Sequence, residues 1–248
     1  MSGSYPIIFS LGALAALLWL ILAEPERPAR QPIAHALRNL DIGICAIPAG
    51  LIGARAAYVA AYWTTFGDEP LSVFHFWDGG LYWGGGAIGA LLMAGAIAKI
   101  NHDSFWQIID RLALPAIFLA LSSWFACLLD HCAYGSIADH GFLTPPAADV
   151  FGLQAPRWPV QSIGAIFSLL SLMLLNALRK RLPRDGSLGS TALVLISLGN
   201  LLLTFLRGDP VPVWGQLRMD GAGSAILLTL ALAAFILRTP LAPKKRCP

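Results

Sequence analysis

Residues 76–90 read FWDGGLYWGGGAIGA, a glycine-rich stretch with two tryptophans and one aspartate, wedged between two runs apolar enough to cross a membrane. Glycine is costly inside a helix and useful where a backbone turns tightly or approaches another group closely. At membrane depth, non-helical backbone survives only where protein buries it or where it lines a wet cavity. The stretch is therefore expected to form an elbow beside a membrane span, and Asp78 makes it a place to look for a site.

The surrounding composition supports a membrane setting. The 248-residue chain is 56% hydrophobic and only 12% charged, against about 25% charged residues in soluble domains. Apolar runs fall near 6–23, 42–62, 85–100, 108–129, 160–178, 189–206 and 221–237. A spanning helix needs about 20 residues, so the third and last of these are short. The expected fold is an all-α integral membrane protein, a single polytopic domain over 1–248 with seven transmembrane helices and an outward-facing cavity capped by outer loops. The first run ends in Glu24-Pro25-Glu26-Arg27-Pro28 without a small-residue cleavage site, and reads as a retained helix.

With the N-terminus outside, thirteen of the seventeen Lys and Arg fall in inner loops and ends, from Arg27 and Arg30 to Lys244, Lys245 and Arg246. The positive-inside rule then gives N-out and C-in. The net charge of +3 reflects these anchors and implies no nucleic-acid partner. Chemistry is expected on the outer side, in segments 63–84, 130–159 and 207–220. Trp63, Trp77, Trp83, Trp124, Trp158 and Trp214 cluster near the same boundary, as an aromatic belt or as the walls of a lipid cleft. Gly84-Gly85-Gly86 follows no strand and lacks an acidic partner, so no dinucleotide site is read there and no cofactor is expected.

Arg55 lies deep in the second run with small residues on both sides. A charge near the bilayer centre costs about 2.5–3.5 kcal/mol on insertion scales, which makes it a functional candidate by default. Its guanidinium could hold a lipid phosphate in a bidentate fork, or serve the structure by pairing with Asp78. Tyr58, three residues on, shares its helix face. Asp78 stands before Gly79-Gly80 and suits a capping role. The segment Cys127-Leu128-Leu129-Asp130-His131-Cys132-Ala133-Tyr134-Gly135 puts two thiols, an acid and an imidazole together. It could be a His-activated thiol nucleophile, or a disulfide or inert small residues; the same set could bind zinc, but its spacing is unlike a zinc knuckle and no metal is assigned. Arg207, before Gly-Asp-Pro, offers a second cation for an anionic headgroup.

GARAAYVAAYW, FWDGGLYWGGGAIGA, the Cys segment ending in Tyr134-Gly135, RWPVQS and FLRGDP occur in an order and spacing that resembles the prolipoprotein diacylglyceryl transferases, over about residues 40–240. The resemblance implies seven spans, N-out and C-in, in the bacterial cytoplasmic membrane. It also implies transfer of a diacylglyceryl group from phosphatidylglycerol, or a related anionic phospholipid, to a lipoprotein cysteine thiol. Arg55, Tyr58, Trp77, Asp78, Gly79, Gly80, Gly85, Gly86, Gly89, Pro159, Gln161 and Arg207 match its motifs. Together with Tyr134 and Gly135, Arg55, Tyr58, Asp78, Gly79, Gly80, Gly85, Gly86, Gln161 and Arg207 are the expected phospholipid-binding set.

Elsewhere the chain departs from the pattern. Gly84 replaces the family histidine, and Ser123-Trp124-Phe125-Ala126-Cys127 replaces Gly-Arg-x-Gly-Asn. Asp130-His131-Cys132 replaces Asn-Gly-Glu, Trp158 and Ser162–Gly164 alter the His-Pro-x-Gln-x-Tyr-Glu motif, and Asn200 and Thr204 stand for an Arg and a Glu. Outer histidines are then His75, His131 and His140. The expected catalytic set is Cys127, Cys132, His131 as base and Asp130. A non-catalytic lipid- or lipoprotein-binding paralogue is the alternative. A small-solute transporter is the third reading, disfavoured because the polar residues sit on one side and no inverted repeat is visible.

Overall fold

The computed structural model describes residues 4–22, 32–67, 70–76, 79–139, 141–182, 186–215 and 217–238. Asp78, Trp77 and His140 lie outside them. In chain order the elements are α1 (Ser4–Leu22), α2 (Pro32–Ala61), the short α3 (Trp63–Phe66), a 3-10 turn (Pro70–Phe74), α4 (Trp83–Ile100) and α5 (Phe105–Asp130). The hairpin β1 (Pro146–Ala148) and β2 (Gln154–Pro156) follows, then α6 (Val160–Leu178), α7 (Ser187–Thr204), the hairpin β3 (Val213–Trp214) and β4 (Leu217–Arg218), and α8 (Met219–Arg238). All the helices but α3, seven among the described residues, are long and apolar enough to cross a membrane. The expected all-α, seven-span fold is what forms.

One boundary differs. The second span starts ten residues before its apolar run, because the polar residues of its first turns are paired inside the protein. Asn39 is buried, donates from Nδ2 to the Leu20 carbonyl near the end of α1 (3.1 Å), and accepts from Arg111 of α5 (3.3 Å). Arg38 forms an ion pair with Asp103. These partners let α2 continue where hydropathy alone would end it.

The glycine-rich stretch divides into two parts. Gly79 and Gly80 have φ of +84° and +71°, a left-handed turn that only glycine adopts freely. Gly84, Gly85, Gly86 and Gly89 are helical, within α4, and so are not part of an elbow. A Cβ on Gly85 would collide with the Gly53 carbonyl and Ala57, one on Gly89 with the Ala49 carbonyl, and one on Gly53 with the Gly85 carbonyl. Small residues let α2 and α4 approach backbone to backbone, the usual source of helix association in lipid.

Helix α5 is the hub and packs against α1, α4, α6 and α7. Its Asp110 carboxylate accepts the N–H groups of Gly186 and Gly189, each at 2.7 Å, and so caps α7 from a neighbouring helix. At the other end Trp83 Nε1–H donates to the buried Ser224 Oγ (3.1 Å), tying the start of α4 to α8. Overfilling the α2–α4 contact should therefore be costly. Gly53→Leu or Gly89→Leu is expected to lose about 1–3 kcal/mol or more, seen as a lower unfolding temperature of the detergent-solubilised protein. Gly95→Ala, whose Cβ meets nothing within 4 Å, should leave it unchanged.

Candidate functional site

Arg55 is 5% exposed, and its donors turn to main chain. Nε–H donates to the Val73 carbonyl (2.9 Å), Nη2 to Ser72 (2.7 Å), and Nη1 to Gly79 (2.7 Å) and Gly80 (3.3 Å). The rings of Tyr58 and Phe66 lie 5.6 and 5.3 Å from the guanidinium carbon. A buried cation must be hydrogen-bonded to survive desolvation. Here the carbonyls of the outer segment meet that need, so Arg55 holds the backbone of Ser72, Val73, Gly79 and Gly80 instead of presenting a free fork to a phosphate. The positive φ of Gly79 and Gly80 lets those two carbonyls point inward at it. Gly80 also lies flat against the Tyr58 ring, which any Cβ there would strike.

Tyr58 continues into a tyrosine cluster, with Tyr62 at 4.5 Å and Tyr82 at 5.6 Å between ring centres. Tyr62 donates its hydroxyl to the Pro210 carbonyl (3.1 Å). The Tyr82 hydroxyl is buried beside Tyr62, with no well-formed hydrogen bond among the described residues. Burial, followed by the neighbouring Tyr62 and the Asp220 charge, pushes its proton affinity well up, so it stays a phenol O–H. This cluster connects Arg55 to the segment that carries Arg207.

Arg207 belongs to a closed ion set. It grips Asp209 with two bonds (Nε to Oδ1, 2.8 Å; Nη2 to Oδ2, 2.5 Å) and lies 3.5 Å from Asp220. Arg218 meets both Asp220 oxygens (3.2 and 3.3 Å) and reaches Asp209 at 3.4 Å. Burial alone would lower the proton affinity of Arg207; the Asp209 bond and the Asp209 and Asp220 charges outweigh it and raise it. Asp209, Arg218 and Asp220 were not among the expected site residues. The signal for them was the repeated Arg-x-Asp spacing of Arg207-Gly208-Asp209 and Arg218-Met219-Asp220.

The long outer loop is pinned onto this set. Gly135 forms an antiparallel bridge with Arg207, and Gly208 N–H donates to the Tyr134 carbonyl (2.8 Å). Arg157 stacks over Tyr134 at 4.8 Å, donates to the Gly135 carbonyl (3.2 Å), and pairs with Asp149 at 2.9 Å. That pair is buried, with side chains 4% and 7% exposed. It too was absent from the expected set. Tyr134 and Gly135 thus hold the cap in place around Arg207.

The cysteine segment differs from its catalytic expectation. Cys127 and Cys132 are joined in a disulfide, so neither carries the free thiol that a nucleophile needs. Of the two readings the residues left open, the structure has the bonded pair. Helix α5 does end at Asp130, and His131 follows in the left-handed region (φ 57°), exposed. Asp130 is buried and accepts the Tyr5 backbone N–H (2.9 Å), an anchor for α1. Gln161 donates to the Cys132 carbonyl (3.0 Å), fixing the disulfide loop to α6. Gly85 and Gly86 face α2, as described, and not a ligand space.

Where the resemblance expects an arginine, Trp124 is buried and packs its ring on Gly164, beside Val160 and Leu203. Asn200 bonds back to the Ile196 carbonyl and Thr204 to the Asn200 carbonyl, each at 2.9 Å. The space left among Ile117, Trp124, Phe167, Ser168, Ser171 and Asn200 is about 10 Å³, room for one water molecule. The polar groups of the described residues converge instead at the rim around Arg207, Arg218 and Tyr82.

Residues 3–237 match the model of the family described as prolipoprotein diacylglyceryl transferase. The phosphatidylglycerol–prolipoprotein diacylglyceryl transferase of Bacillus licheniformis is 30% identical over 242 residues, covering 94% of this chain and 87% of that protein. The enzyme of the same name from Bacillus velezensis is 28% identical with the same coverage, and that of Listeria monocytogenes is 27% identical, covering 91% of this chain and 83% of its own. With a family match running from α1 to the end of α8, around a rim whose Arg207 and Gly79-Gly80 turn carry the family's motifs, this chain belongs to the prolipoprotein diacylglyceryl transferase family.

Proposed function

We propose that this multi-pass protein of the bacterial cytoplasmic membrane transfers a diacylglyceryl group from phosphatidylglycerol to the thiol of an acceptor cysteine, such as that of a prolipoprotein. The observation that carries this reading is the family match across residues 3–237, together with a charge-paired rim that keeps Arg207 at the motif position. In the reaction the acceptor sulfur attacks the glyceryl carbon that bears the phosphodiester. A C–S bond forms, the C–O bond to phosphate breaks, and the phosphate departs with its other glycerol as glycerol phosphate. The thiol proton goes to a base.

The roles follow from what each group can do. Arg207 and Arg218 meet the phosphate, with Asp209 giving way, and stabilise the charge that collects on the leaving group. Tyr82, a buried O–H donor beside Tyr62, assists at the same oxygens. His131, exposed and four residues before the Gly135–Arg207 bridge, is the base for the incoming thiol. Arg55 positions the rim through the backbone of Ser72, Val73, Gly79 and Gly80. The Cys127–Cys132 disulfide anchors the cap and supplies no nucleophile.

With phosphatidylglycerol vesicles and a reduced cysteine peptide as acceptor, mass spectrometry is expected to show the peptide gaining a diacylglyceryl group. Arg207→Gln should lower the rate about 10²–10³-fold, the range for loss of one donor to developing charge, and Arg207→Lys should rescue it poorly. His131→Ala should cost about 10²–10⁴-fold. Absence of product from the wild-type protein with any thiol acceptor overturns the transferase reading.

The rim faces outward if the chain runs N-out and C-in, the orientation proposed from its basic residues. A phosphatase reporter fused after Arg246 is then expected to stay inactive, since that enzyme folds only outside the cytoplasm. An active reporter there would reverse the topology.

A further inference from the structure

Helices α4 and α8 both run on from the Trp83–Ser224 contact. Beyond Gly84, which approaches Leu227, a shallow, open groove of about 550 Å³ lies along α4 and α8. Its walls are Ile88, Leu92, Gly95, Leu227 and Leu230, and its floor is Leu91 with Phe105, where the buried cluster around Ile108 ends. A Cβ on Gly95 would meet nothing within 4 Å, so the glycine keeps the middle of the groove hollow. Lys99 is the one ionisable residue lining it, stands exposed at its far end, and forms no ion pair among the described residues. Arg238 closes α8 and lies 3.9 Å over the Trp106 ring, adding a second cation at the end of the fold where α5 begins.

We infer that this groove is a binding site for one anionic glycerophospholipid of the leaflet at the Lys99 end, with an acyl chain along Gly95 and the phosphate at Lys99. Two measures fit that occupant. From Ile88 to Lys99 the helix rises about 16 Å, close to the half-thickness of a hydrocarbon core of about 30 Å. The groove is apolar along that length and positive only at its mouth, which is the charge pattern of a lipid with a negative headgroup. The site is separate from the rim around Arg207, which lies beyond the opposite ends of α4 and α8, and it does not depend on the transfer activity.

The test is native mass spectrometry of the full-length protein titrated with phosphatidylglycerol or with phosphatidylcholine of the same chains. It is run in an Arg207→Gln, Arg218→Gln background, so that neither rim arginine contributes to the difference between the two lipids. One phosphatidylglycerol per chain is expected to remain, held more tightly than phosphatidylcholine. Lys99→Gln should weaken it about five-fold, the factor for one lysine at a headgroup surface. Gly95→Leu, which fills the groove, should abolish it while far-ultraviolet circular dichroism and gel-filtration volume stay unchanged. Equal retention of the two lipids overturns the proposal, as does unchanged retention in both variants. A two-chain mass that Gly95→Leu converts to one chain also overturns it, because a second copy would then be the occupant.

Discussion

A guanidinium buried in an apolar helix has to be solvated by something, and in this protein main-chain carbonyls of the segment after α2 do it. Arg55 gathers the carbonyls of Ser72, Val73, Gly79 and Gly80, which obliges the chain leaving α2 to fold back over that helix. The return is possible only because Gly79 and Gly80 accept positive φ. It delivers the chain to Tyr82, whose N–H closes onto the Ala54 carbonyl (3.0 Å), one residue from Arg55. The start of α4 is thereby set against α2, and the glycine-to-glycine packing of Gly53 with Gly85 and Gly89 follows. The same constraint appears at the other buried charges. Arg157 with Asp149 is a buried neutral pair, and the half-buried Arg207, Arg218 and Asp209 with the buried Asp220 form a neutral set, as removal from water requires.

The fold was legible because hydropathy reports directly on solvent, and the bilayer is the solvent here. All seven spans follow from it. The start of α2 was missed because Asn39 and Arg38 look like an interface in sequence, whereas in the structure Leu20, Arg111 and Asp103 satisfy them. The glycines were read correctly as sites of close approach, but their conformation was not: Gly79 and Gly80 turn, while Gly85 and Gly89 are helical and approach another helix. Sequence alone cannot separate these uses of a missing Cβ.

The candidate site was less legible, for a different reason. Arg55, Tyr58 and Arg207 stand out one at a time, but what each does depends on partners that sequence distance hides. Arg218 reaches Asp209 only because the β3–β4 hairpin turns at Gly215, φ +66°. Arg157 finds Asp149 only because β1 and β2 pair. The Cys127–Cys132 spacing permitted either a thiol pair or a bond. The ending of α5 at Asp130 and the left-handed His131 bring the two sulfurs together.

The neutral set around Arg207 also bears on how a lipid substrate would be held. Two arginines and two aspartates cancel, so a phosphate arriving at the rim meets no surplus charge and must displace Asp209 from a bidentate grip. The exchange replaces one charge-assisted pair with another of similar strength, and its net gain is small. Binding energy then has to come chiefly from the acyl chains, at about 0.8 kcal/mol for each buried methylene. Trp124 packs on Gly164 of α6 beside Leu203 of α7 and leaves little space between α5, α6 and α7, so on the proposed function those chains would lie against the outside of the helices. On the proposed function, a substrate held by its tails and only exchanged at its head would be free to bring its phosphate to Arg207 late, when charge develops on the leaving group. That is where an interaction accelerates a reaction instead of merely retaining the substrate.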